Sequence, residues 1–254
     1  MAKPNPIDIG PPGASSAGQA IVRNRLQMPL LMPGQEVGWN EPGRVFARHH
    51  HLTGYAAVVL RGSCGEHGDR GRFVAREGDV LAHDAFDGHA DRIGPGGATI
   101  INIPLLGPTD VAFGRVTDLD CVVRAFERSP GDAAHALAEQ LQPGASAKAD
   151  WPDELADCLA RPAGFGRLGP WAAAQGLHPA SVSRGFRLAY GMSPQRYRLE
   201  QMAARAARQI ARSRKTFAAI AADCGFADQS HMTRIISSLF RVSPAALRAM
   251  LTRG

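Results

Sequence analysis

Histidine, the side chain that most often binds transition metals, is concentrated in one short stretch of this chain. Six of the nine histidines lie there: His49, His50, His51, His67, His83 and His89. A neutral imidazole suits borderline first-row ions. On a strand, residues two positions apart, such as His49 and His51, point to the same face. The stretch is therefore a candidate metal or ligand site. The alternative is that the triple histidine 49–51 forms a polar loop.

A second pattern with chemical meaning is a duplication near the C-terminus. Residues 183–194 line up with residues 233–244 at an offset of 50 residues. Upstream, each copy has an alanine four residues before a glycine, at Ala172 and Gly176 and at Ala221 and Gly225. A small alanine lets two helices cross closely, and glycine supplies the positive φ of a tight interhelical turn. The pattern predicts two helix-turn-helix units.

The charge is placed unevenly along the 254 residues, whose net charge is +6. Residues 1–150 contain 14 Lys and Arg against 17 Asp and Glu, a net charge of −3. Residues 151–254 contain 15 against 6, a net charge of +9. A basic half of this size favours binding to a polyanion such as nucleic acid, and a solvated basic face is the alternative.

The elements that position these residues differ between the two halves, so we predict an α+β, two-domain chain. Residues 1–20 are rich in Pro, Gly and Ser, which predicts a flexible arm. Residues 21–128 alternate short apolar runs with Gly and Pro turns, which is typical of a β-sandwich or small barrel. Residues 129–150 are expected to form a helix at 132–142, for packing or dimerisation, and a linker.

Residues 151–254 have helical periodicity interrupted by Gly and Pro. We predict helices at 153–160, 168–175, 179–190, 194–212, 216–223, 228–240 and 244–251. The long helix at 194–212 would join the two helix-turn-helix units rigidly.

Residues 220–234 and 176–194, taken together, resemble the AraC/XylS-type transcription regulators, and the resemblance covers residues 153–251. It implies that the second helix of each unit enters the major groove of DNA with its N-terminal residues at base edges. The sequence departs from the family where His178 and Ala227 stand in place of a Ser helix cap. Arg241 also replaces a Gly, and Leu247 replaces a common Tyr.

The resemblance implies double-stranded DNA as a partner and identifies candidate contact residues on both second helices. They are Ala180, Ser181, Arg184 and Arg187, then Gln229, Ser230, His231 and Arg234. A Gln side chain can pair with adenine and an Arg with guanine, whereas Ser more often holds phosphate. Some basic residues are expected to be backbone clamps or solvated charges: Arg187, Arg196, Arg198, Arg214 and Lys215. Arg205 is expected to affect binding to all DNA sequences alike or not at all.

The spacing of the first histidines resembles the two motifs of cupin barrels, which have the double-stranded β-helix fold. Gly43 precedes His49 by six positions, Gly62 follows His51 by eleven, and Gly78 precedes His89 by eleven. This resemblance covers residues 38–105 and implies that His49, His51 and His89 hold a divalent transition metal such as Zn, Fe or Ni. The Glu ligand of the family falls near Tyr55. Asp84 and Phe86 replace the expected Pro and Gly.

The alternative for the barrel is a pocket for a small-molecule effector without a metal. Aromatic walls commonly line such cavities. The candidate wall residues are Trp39, Phe46, Tyr55 and Phe86.

The sequence therefore predicts a ligand-responsive transcription regulator, homodimeric and not an enzyme. The rival hypotheses are a metal-dependent cupin oxygenase or isomerase fused to a DNA-binding domain, and an architectural DNA binder with a filled barrel. No run of apolar residues is long enough to span a membrane, so no membrane partner and a cytoplasmic location are expected. The four cysteines are far apart and form no CxxC pair, which favours reduced thiols.

Overall fold

The computed structural model describes residues 37–144, 150–162 and 166–251. Antiparallel strands dominate the first range and helices the remainder, which confirms the predicted α+β organisation. The predicted arm at 1–20 and most of the predicted linker lie outside the described residues.

The N-terminal region is an eight-stranded antiparallel sheet. Its strands are β1 (Val37–Asn40), β2 (Val45–His50), β3 (Tyr55–Gly68), β4 (Gly71–Arg76), β5 (Asp79–His83), β6 (Gly88–Pro104), β7 (Phe113–Val116) and β8 (Leu141–Pro143). They pair in the order β1-β6-β3-β5-β7-β8, while β2 also pairs with β6 and β4 with β3.

The two long strands β3 and β6 bend, so that their two halves pair with different neighbours. Residues 55–58 of β3 pair with β5, whereas residues 63–68 pair with β4. At the bend, Gly62 has φ +81° and a Cβ there would lie 2.0 Å from the carbonyl oxygen of Gly97. Only glycine fits this close approach. The bend curls the sheet so that β2, β3, β5 and β6 share an interior, and its assignment as a cupin barrel stays a prediction.

Two helices cover one side of the sheet, α1 (Leu119–Arg128) and α2 (Pro130–Gln140). Their buried side chains, among them Val122, Phe126 and Leu137, pack on strand residues of β3, β5 and β6. Helix α1 corrects the expectation of β structure up to residue 128. The predicted helix at 132–142 is also wrong at its end, because residues 141–143 pair with β7 as strand β8. Pairing with a distant strand leaves no trace in local periodicity.

The C-terminal region contains seven helices in its described residues. They are α3 (Trp151–Ala160), α4 (Leu168–Ala174), α5 (Pro179–Tyr190), α6 (Pro194–Arg212), α7 (Phe217–Asp223), α8 (Gln229–Phe240) and α9 (Pro244–Leu251). Every predicted helix is present with ends within two residues. Within the described part of the chain, no helix combines the length and apolar character needed to cross a membrane.

The helical region has two apolar cores, one for each helix-turn-helix unit. The first contains Leu155, Val182, Phe186 and Tyr190, and it packs against Tyr197 of α6. The second surrounds the other half of α6 and includes Ile220, Phe226, Met232, Ile236 and Phe240. Helix α6 therefore contributes to both cores and fixes the distance between the units.

Candidate DNA interface and histidine cluster

The first helix-turn-helix unit is α4 and α5, joined by a turn at Gly176 with φ +66°. His178 begins α5 as its N-cap, with Nδ1 accepting a hydrogen bond from the Ala180 backbone N–H at 3.2 Å. The histidine thus performs the capping that a Ser would perform. Ala180, Ser181, Arg184 and Arg187 are all exposed.

The second unit is α7 and α8, with Gly225 in the turn at φ +83°. The N-cap of α8 is Asp228, whose carboxylate accepts from the His231 backbone N–H at 2.6 Å. This corrects the assignment of the cap position to Ala227 by one residue. Of the predicted contact residues in this unit, Gln229, Ser230 and Arg234 are exposed. His231 is half-buried, with its ring 5.4 Å from that of Phe226.

Both candidate surfaces present groups that can contact a polyanion, although the exposed Asp228 carboxylate opposes this at the start of α8. The backbone N–H groups at the N-terminus of each second helix give that end a partial positive charge. Small side chains at Ala180, Ser181 and Ser230 leave these ends open, while Arg184 and Arg234 project one turn further along the same helices.

Several arginines of α6 are engaged within the protein rather than free for phosphate. Arg205 Nη1 donates to the Ala160 carbonyl oxygen at 2.7 Å, Arg196 Nε donates to Glu200 at 2.7 Å, and Arg208 pairs with Asp87 of the sheet region. Because Arg196 is still 45% exposed, its expected role as a clamp or solvated charge stays a prediction, as does the sequence-independent effect expected of Arg205. The partners of Arg205 and Arg208 lie far from them in sequence, so the net charge of the region does not reveal these contacts.

The three predicted metal ligands lie together in the interior of the curled sheet. His49 on β2 is the register partner of His89 on β6, and the His51 residue follows the end of β2. The ring centroids of His49 and His51 are 4.8 Å apart, and those of His49 and His89 are 4.3 Å apart. One ligand atom from each residue lies within 4.8 Å of the other two.

The hydroxyl of Tyr55 lies between two of these rings. It is 2.9 Å from His89 Nε2 and 3.3 Å from His51 Nε2. Burial raises the pKa of Tyr55 well above 10, so the phenol keeps its proton. His49 Nδ1 lies 3.0 Å from the Ala47 carbonyl oxygen, which fixes the proton on Nδ1 of the neutral ring. Its Nε2 is then left with a lone pair, as a metal ligand requires.

The electrostatics of the cluster separate His89 from the other two histidines. Burial, and then the neighbouring His89, lowers the pKa of His51 to about 2 and also lowers that of His49, so both rings are neutral. Burial opposes charge on His89 too, but the carboxylates of Asp91 and Glu66 outweigh it and raise its pKa to about 10. His49 and His51 therefore have a lone pair for a divalent ion such as Zn²⁺, whereas His89 holds its proton and would have to release it before it could bind that ion.

The ligand set implied by the cupin resemblance did not include Glu66 and His83, which also lie in this interior. Oε2 of Glu66, a residue of β3, lies 3.2 Å from Nε2 of His83 and 3.3 Å from Nδ1 of His89. All three side chains are buried. The crowding of histidines was a signal for His83, but only the pairing of β3 with β6 brings Glu66 into the same interior.

Three of the four predicted aromatic wall residues lie elsewhere. Trp39 is 38% exposed, Phe46 packs in a small cluster with Cys64 and Ile93, and Phe86 packs against Phe240 of α8 at 5.4 Å. Phe86 has φ +72°, a conformation that is rare outside glycine. Only Tyr55 lies in the histidine cluster. The cysteines are free, with Cys64 and Cys224 buried and Cys121 and Cys158 half-buried.

The fold and the two surfaces define a helical domain with two helix-turn-helix units, joined to a sheet domain with a buried polar site. Comparison with known families agrees for the helical part, because residues 171–250 match the family model described as "Helix-turn-helix domain". Residues 171–250 thus form a helix-turn-helix domain.

Solved structures of two transcription factors are similar to parts of this chain. The DNA-binding domain of AdpA in complex with a target DNA is 24% identical, with a TM-score of 0.38 over 41% of this chain and 96% of that chain. A transcriptional regulator from Chromobacterium violaceum is also 24% identical, with a TM-score of 0.33 over 35% of this chain and 79% of that chain.

Apo ToxT from Vibrio cholerae is 10% identical, with a TM-score of 0.42 over 84% of this chain and 95% of that chain. No curated protein sequence matches significantly.

Proposed function

We propose that this chain is a sequence-specific DNA-binding transcription regulator whose sheet domain senses a metal ion or a small molecule. The observation that carries the proposal is the pair of helix-turn-helix units, each with an open, polar N-terminal end on its second helix. One rigid helix joins the units, so the two second helices would address major-groove segments about 34 Å apart.

The sensing half of the proposal is supported by the way β2 alternates between the two domains. His49 lies in the interior cluster, whereas its neighbours Arg48 and His50 face the helical domain. Arg48 Nε donates to Glu200 of α6 at 2.8 Å, and the ring of His50 is 5.4 Å from that of Phe240 in α8.

The segment that leads into β6 also has side chains that face the helical domain and a histidine that lies in the interior cluster. Phe86 joins the apolar core of the second helix-turn-helix unit, Asp87 pairs with Arg208 of α6, and His89 lies in the interior cluster. A ligand that moves either strand by a small distance would therefore act directly on α6 and α8. Such a ligand regulates by binding one arrangement of the domains more tightly than the other.

The DNA-binding half is tested by fluorescence anisotropy of the full chain with duplexes selected from a random library. We expect binding that is specific and that weakens steeply as salt rises, because phosphate contacts release counterions. The control variant is Arg124→Ala, which removes an exposed arginine on α1 of the sheet domain. It should leave the affinity for DNA unchanged. Equal affinity for selected and random duplexes would contradict sequence-specific binding.

The sensing half is tested by repeating the DNA titration with protein stripped of metal by a chelator and with protein loaded with Zn²⁺, Ni²⁺ or Fe²⁺. A change in DNA affinity that His49→Ala abolishes would support a metal as the signal. If no ion changes the affinity, the metal part of the proposal is wrong, and a small-molecule effector remains to be sought by binding screens. A homodimer is also proposed, and the molar mass in solution tests it.

A further inference from the structure

Two buried polar atoms on the far side of the His89 ring lack hydrogen-bond partners among the described residues. They are Oε2 of Glu66 and Nε2 of His83, in side chains that are 6% and 3% exposed. The atoms are 3.2 Å apart but are not aligned as donor and acceptor. The His89 ring compensates the charge of the Glu66 carboxylate, but neither buried atom has an aligned hydrogen bond, which leaves room for a further partner between them.

The distances around Glu66 match those between ligands on a single metal ion. Two ligands bound at about 2.0–2.1 Å to a tetrahedral ion lie about 3.3–3.4 Å from each other. Glu66 Oε2 is 3.2 Å from His83 Nε2 and 3.3 Å from His89 Nδ1. The rings of His83 and His89 are stacked, with centroids 4.1 Å apart, so one ring would have to rotate before both nitrogens could direct a lone pair at one ion.

This group shares His89 with the histidines that the cupin resemblance assigns to a metal, but it uses the other nitrogen of that ring. Those residues lie toward Nε2 of His89, where the Tyr55 hydroxyl is 2.9 Å away. Glu66 and Asp91 lie at the other ring nitrogen, Nδ1. The Tyr55 hydroxyl occupies the space between His51 and His89, whereas nothing in the described residues occupies the space between Glu66 and His83 in hydrogen-bonding geometry.

We propose that Glu66, His83 and Nδ1 of His89 form a transition-metal site of their own, drawn from strands β3, β5 and β6. One carboxylate and two imidazoles are a donor set that zinc commonly takes. Asp91 Oδ2, which is 3.2 Å from His89 Nδ1, is placed to be the fourth ligand. An ion here would join three strands of the sheet, and it would do so whether or not the protein binds DNA.

The test uses the full chain, stripped with chelator and titrated with Co²⁺ as a spectroscopic substitute for Zn²⁺. We expect one tightly bound ion per chain with the intense visible absorption of tetrahedral cobalt. Glu66→Gln, which keeps the shape of the side chain, and His83→Ala should each abolish that absorption. His135→Ala, at an exposed histidine of α2 outside both clusters, is the matched control, and it should leave the absorption and the stoichiometry intact.

X-ray absorption at the zinc edge of the wild-type protein gives a measurement that does not depend on the folding of any variant. Two imidazoles with carboxylate oxygens would support the site, and three imidazoles would overturn it. A cobalt signal that survives Glu66→Gln and is lost in His51→Ala would also overturn it. Wild-type protein that binds no ion would show that the group is a carboxylate–imidazole network only. The affinity of the wild-type protein for DNA is measured in parallel. If the wild type does not bind DNA, the proposed function is wrong, but the proposal of the metal site is unaffected.

Discussion

The two helix-turn-helix units are copies of one pattern, but they attach to the sheet domain by different forces. The first unit is held by polar contacts: Arg72 of β4 donates to Asp153 of α3 at 2.7 and 2.9 Å, and Tyr190 donates to the same carboxylate at 2.8 Å. The second unit shares an apolar core with the sheet domain, because Leu52 and Phe86 pack among its helices.

This difference indicates which unit a signal from the sheet domain reaches more strongly. A partly exposed ion pair is screened by water and tolerates small displacements. A close-packed apolar contact does not, since any change in volume is felt by its neighbours. The second unit should therefore respond to the sheet domain, while the first should remain nearly independent of it.

The largest expected effect is that of Phe86→Ala. The side chain is 2% exposed in the shared core, and the loss of a buried Phe costs about 3–5 kcal/mol of unfolding free energy. Urea denaturation of the full chain measures the loss, and limited proteolysis reports separation of the domains. The matched variant Phe186→Ala, in the core of the first unit, should destabilise without separating the second unit from the sheet. A loss below 1 kcal/mol in Phe86→Ala would contradict the shared core.

The next effect concerns base recognition by the two units. Arg184→Ala and Arg234→Ala should each weaken binding to the selected duplex by about 1–3 kcal/mol and relax base preference in one half of the site, because a bidentate Arg discriminates guanine. Selection from a random library with each variant measures the preference. If either variant weakens all sequences equally, that arginine positions the domain on phosphate and does not read bases.

A smaller effect is expected where the two units differ in backbone chemistry. The residue after α5 is Gly191 with φ +71°, whereas the residue after α8 is Arg241 with φ +59°. A side chain in this left-handed conformation costs about 1 kcal/mol or more, so Arg241→Gly should raise the unfolding free energy by about that amount. Gly191→Ala is the reciprocal variant and should lower it, since a Cβ there would lie 3.2 Å from His67 Nε2. Thermal unfolding of both proteins would detect a sign opposite to either expectation.

The smallest effect is expected at the polar attachment of the first unit. Arg72 and Asp153 are partly exposed, with side-chain exposures of 30% and 20%, so Arg72→Ala should cost only about 0.5–1 kcal/mol. The cost should fall further in high salt, whereas the cost of Phe86→Ala should not. Denaturation curves at low and high salt compare the two, and a salt-independent loss in Arg72→Ala would remove the distinction between the units.

Local pattern explains why the helical half was predicted well from sequence. The periodicity of 179–190 and 194–212 and the glycines at 176 and 225 specify helices and turns through near neighbours. The same holds for His49 and His51, because residues two positions apart in an extended chain point to the same side. The cap of α8 at Asp228 was missed by one residue, because Ala227 and Asp228 both precede the helix and the sequence pattern did not distinguish them.

Tertiary structure decided what depends on residues far apart in the chain. Strand pairing places Glu66 beside His83 and His89, and it turns residues 141–143 into β8. Packing of the two domains turns Phe86 toward Phe240 and pairs Arg208 with Asp87. By itself, the sequence determined the helix-turn-helix units, the basic half and the three aligned histidines, because each depends on local spacing or composition. The surroundings of every buried polar group depend on long-range register and packing, which the folded chain alone defines.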